Sequence, residues 1–306
     1  VDTAGPRPRC VVSLLTDYGL DDGFVGALHS VLRRRLPDLA IVDLTHGIPP
    51  QDVRAGSLAL LRSAPYLAPG VVIAVVDPGV GTARRPIAVA TAAVTLVGPD
   101  NGLLPPAVDA LGAPSTAVVL EDRGYWLPAP GPTFAGRDIF APAAGLLAAG
   151  HGLAELGSPI DAGSLVRLPP LTCRWRPDGS LELEVAWVDR YGNVQLSARP
   201  ADIGPSGSGP SGLDPPGSGP SGWLPGDVIV TALTQPGGGG ADCTTTWSAR
   251  AVSAYAELAP GQLGLLCDSY GYLALCLNGA HAARLLGLGD GDRVLLRSSC
   301  PEPAAG

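Results

Sequence analysis

The sequence contains no methionine, three phenylalanines and only 5% aromatic residues, and just 16% of its 306 residues are charged. So little charge excludes an acidic disordered chain and a coiled coil, both of which need far more of it. Basic residues are the minority sign, 20 against 28 acidic, for a net charge of −8. That balance argues against a nucleic-acid partner, because phosphate binding requires a basic face. No apolar run reaches the roughly 18 residues of a membrane span. The opening Val1-Asp-Thr-Ala-Gly-Pro6 lacks the basic and apolar regions of a signal peptide, so a cytoplasmic location is expected. The six cysteines, at 10, 173, 243, 267, 276 and 300, include no C-x-x-C pair and have no histidine at zinc-site spacing. They are expected to be mostly buried thiols. Glycine (42) and proline (32) are in excess, together about a quarter of the chain against the roughly 12% of average usage. Many turns follow. With 46% hydrophobic residues and roughly 100–200 residues per domain, the chain can bury the core of two domains or one large one.

Residues 10–16 form a short apolar run ending in Asp17-Tyr18-Gly19, which predicts a buried strand entering a loop. From Asp22 to Leu36 the apolar positions Phe24, Val25, Leu28, Val31, Leu32 and Leu36 recur at helical spacing. Arg33, Arg34 and Arg35 sit where the helix dipole favours cations, and Pro37 follows. Ala40–Leu44 predicts a second strand, Val53–Leu61 a second helix and Val71–Val76 a third strand. This βαβαβ order implies a mainly parallel sheet covered by helices, with ligands gathered at the carboxyl ends of the strands. The loops at Asp17, His46 and Asp77 should converge there. The second half differs: Ser180–Val188 alternates at period two, as a half-buried antiparallel strand does, and predicts a β-rich domain. Strands are expected around the turn Ser269-Tyr-Gly271 within Leu265–Leu277, then a helical piece at Ala280–Leu286 and a strand at Arg293–Leu296. Gly-Ser-Gly-Pro-Ser-Gly occurs at both 207–212 and 217–222, so 204–222 is expected to be a flexible insertion. The domains are placed at 1–170 and 171–306.

Several clusters carry candidate chemistry. Asp77-Pro-Gly-Val-Gly-Thr-Ala-Arg-Arg85 follows the third strand, and a carboxylate and a guanidinium seven residues apart can meet across its turn. A tight connection closed by a structural salt bridge is the simpler reading of these residues alone. Asp17 has the placement to accept from two ribose hydroxyls, or to cap the following helix. His46, beside Pro49-Pro50, is either a general base or, more simply, structural; His29, His151 and His281 are given no role. Pro99-Asp-Asn-Gly-Leu103 is a plain turn signal. In Thr133–Pro142, Arg137-Asp138 interrupts an apolar stretch. Asp189-Arg-Tyr-Gly-Asn193 and Cys267-Asp-Ser-Tyr-Gly-Tyr272 each set polar residues beside an aromatic and a glycine, as a hairpin turn would.

Taken together and in this order, Leu15–Gly19, Val42–Pro50, Val75–Thr82, Gly98–Leu103, Thr133–Pro142, Val188–Asn193 and Ser269–Leu273 resemble the S-adenosylmethionine hydroxide adenosyltransferases, the family that includes the S-adenosylmethionine-dependent fluorinase and chlorinase. The resemblance implies an N-terminal α/β domain, a smaller C-terminal β-barrel, and a homotrimer with active sites between neighbouring subunits. It implies displacement of methionine at C5′ of the adenosyl group by water or halide. Because departure of methionine neutralises a sulfonium, no metal or redox cofactor is required. Asp77 and Arg84 would orient the water. Asp17 would hold the ribose diol, Asp22 the methionine end, Asp189 the methionine ammonium and Ser269 its carboxylate. Asn193 would read the adenine edge while Tyr191 stacks on the ring, with Phe134, Gly136 and Tyr270 completing the contacts.

The chain departs from the family pattern in two places. The hydrolytic branch adds a histidine in Thr-Phe-His-Gly-Arg-Asp, and Ala135 stands there. A natural variant working with Asp77 and Arg84 alone, an engineered replacement, and an S-adenosylmethionine or adenosine binder with little turnover all fit. Gln51 stands where relatives carry an aromatic. Halide transfer is the runner-up activity: a carboxylate at Asp77 would repel chloride or fluoride, although Gly136 leaves room for an anion.

Overall fold

Residues 10–112, 114, 116–203, 227–233 and 245–298 are described by the structure, a computed structural model. The 204–222 repeat, Cys243 and Cys300 lie outside them. The chain divides into two compact units, Val1–Pro169 and Pro170–Gly306.

The first unit begins with β1 (Val11–Thr16), whose Val12, Leu14 and Leu15 are wholly buried, as expected of a strand covered on both faces. Helix α1 (Phe24–Arg35) buries Val25, Leu28 and Leu32 along one stripe and ends in the three arginines. It starts two residues later than its apolar spacing suggests, leaving Asp22 in the exposed loop before it. Strand β2 (Ala40–Thr45) leads to α2 (Val53–Ser63), whose first turn is capped by the Asp52 carboxylate accepting from the Ala55 N–H at 2.8 Å. Next come β3 (Gly70–Val75), β4 (Pro86–Ala90), β5 (Val94–Pro99), α3 (Pro105–Ala110), β6 (Thr116–Val119), α4 (Ala141–Ala148) and β7 (Pro159–Ile160). The sheet order is β2-β1-β3-β5-β4-β6-β7. Pairing is parallel from β2 across to β5, and antiparallel from β5 to β7. Adjacent side chains on a strand face opposite ways. Leu14 and Ile73 therefore join Leu28 and Phe140 in one core layer, while Leu15 and Val72 join Leu60 and Leu104 in the other. Thr16 pairs with Val75, so the loops leaving β1 and β3 emerge side by side.

The second unit contributes β8 (Cys173–Trp175), β9 (Leu181–Val188), β10 (Val194–Leu196), β11 (Val228–Leu233), β12 (Thr245–Ala251), β13 (Leu263–Cys267), β14 (Leu273–Leu277), α5 (Ala282–Leu286) and β15 (Arg293–Ser298). Strands β9 to β15 close a seven-stranded barrel, because β10 pairs with both β14 and the end of β9, while β8 lies beside the start of β9. Closure removes the open edges that an isolated sheet would expose. Every pairing is antiparallel except β12–β13. Leu183, Val185, Val194, Val230, Leu265 and Leu275 fill the interior.

Of the four described cysteines only Cys276 is buried; Cys10 and Cys267 are half-buried, Cys173 is exposed, and all are free thiols. The expectation of mostly buried thiols therefore fails. Cys173 lies on the short strand β8, whose three residues are all exposed.

Candidate functional site

In the first unit, the polar groups gather at the carboxyl ends of the parallel strands. Asp77 leaves β3 through a turn closed by Val80 N–H to Asp77 C=O at 3.1 Å and Thr82 N–H to Gly79 C=O at 3.1 Å. Gly81 takes φ +79°, and a Cβ there would meet the Pro132 carbonyl at 3.3 Å. The turn brings Arg84 back onto Asp77. Arg84 Nε donates to Asp77 Oδ1 at 2.9 Å and Nη2 donates to Oδ2, with the two side chains only 12% and 6% exposed. The Arg84 guanidinium also lies over the Phe140 ring, 5.3 Å from its centroid. One edge of the cation is thus held by Asp77 and one face by Phe140.

Asp17 extends from β1 beside this pair. Its Oδ2 accepts the Gln51 backbone N–H at 2.8 Å, which leaves Oδ1 without a partner among the described residues. Gln51 is the one described non-glycine residue at positive φ, +66°. A strained backbone of this kind costs roughly 1–2 kcal/mol and persists where the surroundings demand it. Here the demand is that the amide point at Asp17. The structure thus gives Gln51 a main-chain part at the position where relatives often carry an aromatic.

His46 is buried, with Nδ1 2.8 Å from Thr16 Oγ1 and Nε2 facing the Asp43 carboxylate, 3.0 Å from its Oδ1. The same Asp43 oxygen takes His29 Nε2 at 2.9 Å. Thr16 Oγ1 also accepts the Tyr18 N–H at 3.1 Å. Gly19 N–H adds a bond to the His46 carbonyl at 2.8 Å. His46 therefore supports the Asp17–Gly19 loop through Nδ1 and its carbonyl, in line with the structural one of its two sequence-based alternatives. Burial raises the Asp43 pKa, but hydrogen bonds from His46 and His29 outweigh it and hold the carboxyl below its ordinary value.

Gly136 opens a π-helical turn, Gly136–Phe140, that runs into α4. A Cβ at Gly136 would lie 2.3 Å from the Tyr18 hydroxyl oxygen. The space expected over Gly136 is therefore filled by Tyr18. Phe134 packs edge-on against Tyr18 (5.6 Å) and Phe24 (5.1 Å), with the Arg137 guanidinium 4.9 Å from its centroid. Ala135 is buried, with its methyl on the wall of a 460 Å³ cavity that Arg84, Asp138, Arg123 and Trp126 also line. Asp22 is exposed. Asp100 and Asn101 turn out to brace the site. Asp100 is buried, pairs with Arg85 Nε at 2.8 Å and accepts the Val166 N–H, while Asn101 Nδ2 donates to the Val76 carbonyl at 2.8 Å. The plain turn signal concealed that clamp.

In the second unit, Asp189–Asn193 and Asp268–Tyr272 form matching corners, one between β9 and β10 and the other between β13 and β14. In each, the aspartate Oδ1 accepts two backbone N–H groups, from Tyr191 and Asn193 (2.9 and 2.8 Å) or from Tyr270 and Tyr272 (2.9 and 3.0 Å). Gly192 and Gly271 take φ +87° and +83°. Asp189 Oδ2 accepts from Asn193 Nδ2 at 2.8 Å, and Asp268 Oδ2 from Gln195 Nε2. Tyr191 is 79% exposed, and Tyr270 leans on Trp187 with centroids 6.4 Å apart. Asp189, Asn193 and Tyr255 line both a 710 Å³ cavity that includes Tyr191 and His281 and a 460 Å³ cavity that includes Ser269, Tyr270 and Gln195. Tyr255, Gln195, Trp187 and His281 were missed from the sequence. Each is a single residue with no glycine or proline signal of a site beside it, and His281 declares itself only through α5, whose Arg284 N–H it caps at 3.2 Å.

Among known proteins, the chain matches the SAM hydroxide adenosyltransferase N-terminal domain over residues 12–157 and the corresponding C-terminal domain over 238–295. It is 45% identical over 288 residues to the (R)-S-adenosyl-L-methionine hydrolase of Salinispora tropica, covering 94% of this chain and 97% of that one. The hydrolase of the same name from Salinispora arenicola is 40% identical, with 92% and 96% covered. An uncharacterized conserved protein from Thermotoga maritima shares the fold with a TM-score of 0.78 at 28% identity, over 94% of this chain and 99% of its own. The chain belongs to the SAM hydroxide adenosyltransferase family.

Proposed function

We propose that this chain hydrolyses S-adenosyl-L-methionine to adenosine and L-methionine by attack of water at C5′. The observation that carries the reading is the nearly buried Asp77–Arg84 pair at the end of β3, beside the ribose-type carboxylate Asp17. The water oxygen bonds to C5′ as the C5′–S bond breaks, and that bond's electron pair passes to sulfur, which leaves as the neutral thioether of methionine. The water proton passes to Asp77, whose orientation Arg84 holds. The sulfonium is already a good leaving group, so alignment and partial desolvation of the water supply most of the acceleration.

In this reading Asp17 Oδ1 accepts from the ribose diol and Asp22 serves the methionine end. In the second unit Asp189 pairs with the methionine ammonium, Ser269 holds its carboxylate, and Asn193 and Tyr191 take the adenine. Phe134, Tyr270, Gly136 and the Gln51 main chain shape the surroundings. The reading includes a homotrimer, a cytoplasmic location and no cofactor. Its test is incubation with S-adenosylmethionine, with and without chloride or fluoride, followed by chromatography of the nucleosides. Adenosine in every sample is expected; a 5′-halo-adenosine formed only with halide would overturn water as the nucleophile.

A second reading, a binder with slow turnover, is favoured by Ala135, which offers only a methyl to the cavity beside Arg84. Intact but tightly bound S-adenosylmethionine would select it, and Ala135→His would then be expected to raise the rate.

A further inference from the structure

We infer that Tyr18 is a further catalytic residue, its hydroxyl holding the attacking water against Asp77. The inference rests on the hydrolase reading above and assigns one more group to the same site. Tyr18 follows the ribose-type Asp17, and the fold fixes it from three directions. Its N–H is tied to Thr16 Oγ1, itself anchored on His46. Its ring is packed against Phe24 at 5.7 Å and Phe134 at 5.6 Å, and those two rings pack on each other. Its hydroxyl occupies the place a side chain would take on Gly136, since a Cβ there would come within 2.3 Å of the phenol oxygen.

A phenol held this firmly would ordinarily bond to the protein. This one has no hydrogen-bond partner among the described residues, although Asp17, Asp77, Arg84 and Asp138 all lie within its electrostatic reach. Burial first, and then the charges of Asp17 and Asp77, raise its pKa above the ordinary phenol value against the opposing pull of Arg84. The group stays neutral throughout the working pH range and so keeps both a donor and acceptor lone pairs.

The geometry of displacement needs such an acceptor. A water aligned for attack must offer a lone pair to C5′, which requires both of its hydrogens to be directed elsewhere. Asp77 takes one of them, and the Tyr18 oxygen takes the other. As the O–C5′ bond forms and the C5′–S bond breaks, the proton on the Asp77 side is the one transferred. Tyr18 neither gains nor loses a proton over the cycle.

The test is Tyr18→Phe, which keeps the ring and its packing and removes only the oxygen. Adenosine release at saturating S-adenosylmethionine is expected to fall about tenfold, the equivalent of one neutral hydrogen bond, with KM nearly unchanged. The residual rate should keep the pH profile of the parent protein, because the phenol does not titrate in that range. Equal rates for parent and variant would overturn the role of Tyr18 alone. A parent protein that releases no adenosine would overturn the hydrolase reading, and this role with it. Should the phenylalanine variant fold poorly, fluorotyrosine at position 18 keeps the packing while weakening the oxygen as an acceptor; a slower rate is again expected, and an unchanged one is again fatal.

Discussion

Replacing Asp77 with asparagine separates what the Asp77–Arg84 pair does for the fold from what it does for the reaction. The change preserves size and removes one charge. It leaves the Arg84 guanidinium, 12% exposed, facing an amide and the Phe140 ring. Removing one partner of a buried ion pair costs about 3–5 kcal/mol, because the remaining charge stays desolvated. At roughly 2–4 °C per kcal/mol for a unit of this size, the first unit should melt about 10 °C lower. Loss of the proton acceptor should slow adenosine release by about 10²–10⁴, while calorimetric affinity for S-adenosylmethionine changes little. The double variant Asp77→Leu with Arg84→Met is the control: an apolar pair in place of a buried ionic one is often neutral or stabilising, so melting should recover while turnover does not. A single variant that melts with the parent protein and turns over at a similar rate would refute the reasoning, since the pair would then be both solvent-screened and idle.

Gln51→Gly should relieve the strain at φ +66° and keep the N–H that Asp17 accepts, leaving S-adenosylmethionine affinity within about twofold; a tenfold loss by calorimetry would mean that the Gln51 side chain touches the ligand. Gly192→Ala combines a positive φ with a Cβ that would lie 2.2 Å from the His281 ring, and should destabilise the second unit by about 2–5 kcal/mol in urea titrations. Adding His281→Ala should return the steric part but not the backbone part; no recovery would place the cost elsewhere. Asp43 has its pKa lowered in the folded protein, so its stabilisation is complete above the ordinary carboxylate value and is lost as pH falls through the depressed one. Asp43→Asn should therefore flatten the acid limb of the stability curve, and an identical limb in parent and variant would remove Asp43 from the loop's support.

The first three strands and two helices were legible because they are local. Apolar runs, buried on both faces in β1 and β3, helical spacing over Phe24–Leu36 and proline or glycine at the junctions all act within a dozen residues. The switch from parallel to antiparallel pairing after β5 was not legible. It depends on β4 entering beside β5 across a tight turn and then pairing with β6, and short apolar strands carry no sign of the direction in which a neighbour runs. Of the barrel, β9, β13, β14 and β15 were legible, whereas β10, β11 and β12 were not. Its closure rests on Val194 and Gln195 of a three-residue strand pairing on both sides, a tertiary event with no local signature.

The site divides along the same line. Asp77 and Arg84 are close in sequence, so a carboxylate and its partner could be read there from residue types and spacing, whereas the bond between Asp189 and Asn193 could not. What stayed hidden are groups whose part is played by something other than a reactive side chain. Gln51 supplies a main-chain N–H from a strained backbone. Gly136 supplies the absence of a Cβ, and so lets a hydroxyl in from a strand end more than a hundred residues away. His46 supplies Nδ1 and its main-chain carbonyl to a loop it does not belong to. None of these contributions is a property of the residue type; each belongs to a position, and that position exists only after β1, β2 and β3 have aligned. For this reason, Tyr18, which in the sequence is only the middle residue of the Asp17-Tyr18-Gly19 loop, acquires a chemical role only when the space above Gly136 and the support from Thr16 are known together.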